Sequence, residues 1–270
     1  MEPMLSAQAL SLLRGAYFGV LVGAFSFFLL WETGAPRVAF ATAAERRRHL
    51  LRNFAMFALV VVVADIGVGY GLLGTAQRIE APTGSGLGAL GWEWPAMLVA
   101  GIVLLDLFNY GWHRACHAVP RLWRLHRVHH SDTHLDATTG ARFHVLETSL
   151  AIGLLIGFMT VVGIPLWVEL VRTLVVNPLA LAQHANVTFP AGLDRRLRSV
   201  IVTPELHRVH HSLSRAEHDR NFGQILSIWD RLFGTYAAPP AQSADVGVAG
   251  LQSESWQTVR GMCATPFRRA

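Results

Sequence analysis

Apolar residues along this chain gather in four blocks, at residues 15–31, 54–73, 95–112 and 145–182, with polar stretches between them. A helix rises about 1.5 Å per residue, so about 20 apolar residues cross the hydrocarbon of a bilayer. Each of the first three blocks predicts one such helix; the second is interrupted by Asp65, and the third carries Asp106 and Asn109. The fourth is too long for one crossing. Its "GIP" at residues 163–165 predicts a break, and hence two helices folded as a hairpin. Each half is short for a full span, so a shallow re-entrant hairpin stays open beside two crossings. Glu169 and Arg172, three apart in the second half, are placed to pair on one helix face. The first block lacks a clear cleavage site after it and reads as a transmembrane helix rather than a signal peptide. The pattern predicts an all-α fold: a polytopic membrane helical bundle of about four to five spans, or one with a re-entrant hairpin.

The polar stretches orient these spans. The loop after the first block carries five arginines, Arg37, Arg46, Arg47, Arg48 and Arg52, whereas the loop at residues 74–94 has only Arg78. Positive charge collects on the cytoplasmic side. Residues 112–144 and everything after His184 are then cytoplasmic, so the bundle carries a cytoplasmic cap. Composition agrees: 52% of residues are hydrophobic and 15% charged. All 23 basic residues are arginine, with a net charge of +5. In a membrane chain this marks the anionic lipid face and does not call for nucleic acid. Cys116 and Cys263 are too few for a disulfide framework or a Cys-based zinc ribbon. The chain divides into N-terminal helices and loops (1–94), a central region (95–236) and a C-terminal tail (237–270). The tail, with its Pro and Ser residues, reads as a loosely ordered extension.

Histidine changes the picture. All but one of 13 histidines lie between His113 and His218, and "LHRVHH" occurs twice, at residues 125–130 and 206–211. At about 100° per residue, His126, His129 and His130 share one helix face, as do His207, His210 and His211. His113 and His117 are four apart, and Asp106 lies seven residues before His113 on the same stripe. Eight imidazoles are too many for one metal, since zinc takes about four ligands. They fit two ions of imidazole-tolerant chemistry, chiefly iron, with zinc or copper open. Asp106, costly within a membrane helix, is placed to steady a ligand ring from behind, with Glu147, Glu205, Asp219 and Asp230 as further carboxylates. His134 and His218 read as ordinary polar residues.

Taken in order, "DLFNYGWHRACH", "LHRVHHS", "QHANV", "PELHRVHHS" and "NFGQILSIWDRLFGTY" resemble the fatty acid hydroxylase/sterol desaturase superfamily over roughly residues 106–236. The resemblance implies a histidine-capped helical bundle holding two iron ions, which use O2 and two electrons on a lipid C–H bond. It carries over His113, His117, His126, His129, His130, His184, His207, His210 and His211 as ligands, with His144 of "RFHVLE" as a further candidate. Asn186, beside His184, is placed as a supporting residue. In the last motif Phe222, Ile225, Trp229 and Phe233 fall at helical spacing and predict an amphipathic stretch. No fused cytochrome or flavin segment is visible, so the electrons are expected from a separate donor of ferredoxin or cytochrome type. The expected setting is a bacterial inner membrane with the site on its cytoplasmic side. Hydroxylation and desaturation stay undivided, and a membrane metal-binding or transport protein without redox turnover is the alternative class.

Overall fold

The computed structural model describes residues 7–79, 86–239 and 245–268. Among these every regular element is helical, with two isolated bridges, Ile201–Leu226 and Ser212–Val246, in place of strands. Four long helices and a hairpin partner make the bundle: α1 (Ala7–Gly34), α2 (Ala43–Ile79), α3 (Trp94–Ala118), α5 (Val145–Val162) and α6 (Leu166–His184), with the short α4 (Pro120–His130) between α3 and α5. Thr42 starts α2 by accepting from the Glu45 amide at 3.1 Å. Pro95 and Pro120 open α3 and α4, where their missing N–H costs nothing.

The fourth apolar block breaks where "GIP" predicts. Gly163 ends α5 at φ 72°, a left-handed conformation that glycine adopts without penalty, and Pro165 caps α6. The Arg172 guanidinium donates twice to Glu169, at 2.6 and 2.8 Å. Leu105, Met159, Ile164 and Val168 lock α3 to the hairpin in one apolar cluster. Gly101 lets α3 approach closely: a Cβ there would lie 2.6 Å from the Val168 side chain.

Three helical segments, Gly15–Gly34, Trp94–Ala118 and Val145–Val162, are long and apolar enough to cross a membrane. No more than 28% of the residues in each apolar window are buried, so their greasy faces turn outward as lipid contact requires. The second apolar block lies inside α2, and its side chains from residue 63 on fall outside the described ones.

Beyond one end of the bundle sits a cap of short helices: α7 (Ala191–Leu197), α8 (Pro204–His210), α9 (Arg215–His218), α10 (Ile228–Leu232), α11 (Glu254–Gln257) and α12 (Val259–Ala264). Two expectations are corrected here. The tail is not loose over residues 245–268. Leu251, Gln257, Met262 and Thr265 are buried. Arg142, fully enclosed, donates to Val128 O, Ser131 Oγ and Gln257 Oε1, and Arg127 donates to Thr265 O and Arg268 O. Nor do residues 222–233 form one amphipathic helix, since only Ile228–Leu232 is helical. Carboxylates take the backbone donors instead. Asp230 accepts from the Phe222 and Gly223 amides, and Asp106 from those of Ile225 and Leu226. Asn221, at φ 56°, turns the chain into this loop.

Candidate metal centre

Four helices deliver the imidazoles. His113 and His117 come from the last turns of α3, and His126, His129 and His130 from α4. His184 ends α6, His207 and His210 lie on α8, and His211 caps α8. Thr203 starts α8, and its hydroxyl donates to Asp194 at 2.6 Å. The two copies of LHRVHH meet face to face: the His130 and His211 rings stack with centroids 4.4 Å apart.

The nine rings fall into two groups whose ligand atoms lie within 4.8 Å of one another: His113, His117, His126, His130 and His210 in one, His129, His184, His207 and His211 in the other. Their geometry fits bound cations. His113 Nδ1 lies 2.9 Å from Phe222 O and His210 Nδ1 2.7 Å from Arg220 O. A carbonyl only accepts, so each Nδ1 carries the proton and each Nε2 is a bare lone pair. Yet these two Nε2 atoms are 2.8 Å apart. Two lone pairs so close repel unless a cation lies between them. His184 repeats the pattern, with Nδ1 on Ala180 O at 2.6 Å and Nε2 at 3.1 and 2.9 Å from Nε2 of His129 and His207. His126 buries its Nε2 with no partner at all. Unpaired buried nitrogens are costly, and a metal ion would satisfy them.

Electrostatics points the same way. Burial, and then neighbouring imidazoles, hold His129, His130, His207, His210 and His211 well below the ordinary histidine range. The rings are therefore neutral at physiological pH, the form that binds metal. Carboxylates steady two rings: Glu147 lies 2.6 Å from His126 Nδ1, and Asp219 3.2 Å from His117 Nδ1.

A cavity of about 300 Å³ opens beside both groups. His113, His126, His129, His184 and His207 line it, together with Glu147, Thr148 and the apolar Ala151, Ile152 and Leu155 of α5. Asn109, Asn177, Gln183 and Gln224 add polar points.

Three expected residues stand elsewhere. Asp106 has no histidine among its hydrogen-bond partners: besides Ile225 and Leu226 it accepts from Trp229 Nε1 at 2.8 Å, so it holds the loop rather than a ring. Asn186 binds Val38 through both ends of its amide and ties the loop after α1 to the cap. His144 caps α5, accepting from Leu146 N at 3.2 Å, with its Nε2 3.3 Å from Cys263 O. It belongs to neither imidazole group. His134 stacks on Phe40, and His218 stacks on Trp123. Glu205 pairs with Arg37.

Some of the site carries no sequence signature. The carbonyls of Ala180, Arg220 and Phe222 orient rings as well as any side chain does. His49 sits 2.8 Å from Asp132 and 3.0 Å from Asp136, a triad with two buried carboxylates that only the fold assembles.

The fatty acid hydroxylase family model matches residues 98–235, just over half of the chain. An ornithine lipid hydroxylase of Rhizobium tropici is 36% identical over 66% of this chain and 53% of its own length. The alkylglycerol monooxygenase of Homo sapiens is 30% identical over 55% of this chain and 32% of its own. A fatty acid hydroxylase of Lecanicillium sp is 29% identical over 54% and 43%. The chain thus spans about half or less of these relatives' lengths, and no solved structure matches it. The family match contains all nine clustered histidines, and the chain belongs to the fatty acid hydroxylase family.

Proposed function

We propose that this protein is a membrane oxygenase that hydroxylates or desaturates a C–H bond of a lipid. The observation that carries the reading is the cavity: five imidazoles from both groups line it together with the apolar Ala151, Ile152 and Leu155 of the bundle helix α5. An unactivated C–H bond offers no acid, base or electrophile for side chains to attack. Two iron ions, when bound by the nine histidines, supply the needed chemistry, the two-electron use of O2 on that bond. The chain's own residues do the rest. Neutral rings leave the ions' charge uncompensated, the Glu147 and Asp219 carboxylates orient their rings, and burial excludes water. Ala151, Ile152 and Leu155 admit a hydrocarbon chain, and the polar edges of Asn109, Asn177 and Gln224 meet its polar end.

Lipid hydroxylases and monooxygenases among the relatives support a lipid substrate and O2. The two electrons come from a separate donor of ferredoxin or cytochrome type. The arginine-rich loop after α1 supports a cytoplasmic cap, and the proposed setting is a bacterial inner membrane. Metal transport would need a polar path through the spans, whereas beyond Glu147 and Thr148 in its first turns α5 meets the cavity through Ala151, Ile152 and Leu155. Lipid mass spectrometry of host cells with and without the protein tests the reading. A lipid that gains one oxygen atom or loses two hydrogens only when the protein is present is expected. Identical lipid profiles would refute it.

A further inference from the structure

The nine rings are not supported equally. In the five-imidazole group four rings have Nδ1 held: His113 and His210 by backbone carbonyls, His117 and His126 by carboxylates. His130 buries its Nδ1 without a partner. In the four-imidazole group the balance reverses. His184 is held, by Ala180 O, while His129, His207 and His211 each bury Nδ1 without a partner.

We infer that the two metal positions are inequivalent, the five-imidazole position retaining its ion and the four-imidazole position exchanging its ion at least about tenfold more readily. The inference rests on the two-ion reading above. A ring held at Nδ1 already aims its Nε2 lone pair, so binding costs no further ordering of that side chain. A carboxylate behind an imidazole also fixes its tautomer and ring orientation, and both such carboxylates, Glu147 and Asp219, serve the same group. The unheld rings have neither advantage. They must be ordered by the ion itself, and each keeps a buried nitrogen unpaired.

The support extends one layer further. Phe222 O is fixed because Asp230 accepts from Phe222 N at 2.7 Å and Gly223 N at 2.8 Å, Arg220 O because the Asn221 N of its peptide donates to Thr235 O at 3.0 Å, and Asp106 grips the next turn of the same loop. Asp106 and Asp230 are therefore positioning residues for the retentive position alone, since no ring of the other group bonds to this loop.

The test is equilibrium dialysis of the purified, metal-stripped full chain against graded free Zn2+, an ion that imidazole sites accept readily. Two steps of one ion per chain are expected, with midpoints at least about tenfold apart. Glu147→Gln keeps an acceptor but loses the charge, and should weaken only the tighter step, by about 10–100-fold. His129→Ala should remove only the weaker step. Asp219→Asn, at a half-exposed edge, gives the same reading as Glu147→Gln if that variant fails to fold. A single step of two equivalents overturns the inequivalence, as does loss of the tighter step in His129→Ala, and both leave the two-ion reading standing. Binding of one ion in total, or none, overturns the two-ion reading and the inference with it.

Discussion

Replacing Asp106 by asparagine should loosen a loop and not merely alter a charge. The carboxylate is fully buried and accepts three hydrogen bonds: Oδ1 from Ile225 N at 3.0 Å, Oδ2 from Leu226 N at 3.1 Å and from Trp229 Nε1 at 2.8 Å. An asparagine keeps one acceptor oxygen and puts an NH2 where the other stood. In the better orientation the amide NH2 faces Ile225 N, donor against donor, and one charge-assisted bond is lost. Hydrogen bonds to charged groups contribute about 1.5–3 kcal/mol, so a cost of at least about 2 kcal/mol follows. At about 1.4 kcal/mol per tenfold, local opening should make the Ile225 amide exchange about 30-fold faster. Hydrogen exchange followed by mass spectrometry on peptides covering residues 222–233 reads this directly. The same variant should hold its tighter zinc ion less well, because Phe222 O moves with the loop. Unchanged exchange at Ile225 and Leu226 would refute the reasoning and leave Asp106 as a packing residue.

Other outcomes follow from the same contacts. Burial pulls the His49 imidazole down, but Asp132 and Asp136 outweigh it and lift it to about 10. Its folded value thus lies above the unfolded value of about 6.5, so the stability it contributes is full below about pH 6.5 and is lost as pH rises through about 10. The melting-temperature gap between wild type and His49→Gln should therefore be widest below pH 6.5 and close above pH 10; a gap independent of pH would contradict this. Arg142→Met removes three donors that tie α4 and its following turn to residue Gln257, and breaking a buried charged network of this kind costs about 3–5 kcal/mol. Limited proteolysis should then release the segment after residue 245 while the bundle stays intact. Gly163→Ala forces a left-handed alanine at the hairpin turn and should cost about 1–2 kcal/mol in thermal stability. A reporter inserted near Gly86 should lie on the opposite side of the membrane from one fused after Ala270; the same side for both would overturn the span count.

Local features were legible because their spacing alone defines a face or a break. The i, i+3, i+4 histidines of LHRVHH had to share a helical stripe, and "GIP" had to end a helix, whatever surrounded them. What escaped depended on partners distant in sequence. Asp106 shares the His113 stripe by angle, but its oxygens are claimed by backbone amides 119 and 120 residues further on. Those same bonds dissolve the helix that Phe222, Ile225, Trp229 and Phe233 suggest. His144 has the right residue type, yet as the cap of α5 its ring bonds that helix and the C-terminal segment. The tail reads as loose because its anchors, Arg127 and Arg142, lie more than a hundred residues upstream. Backbone carbonyls that orient rings leave no mark in any sequence.

The central claim is that both imidazole groups serve one lipid-oxidising centre. Lipid profiles of cells expressing wild type, His129→Ala and His210→Ala at matched membrane levels test it most directly, since each variant removes one nitrogen from a different group. The account predicts that the oxidised lipid seen with wild type disappears in both variants while each protein remains in the membrane. Undiminished product in either variant would contradict it.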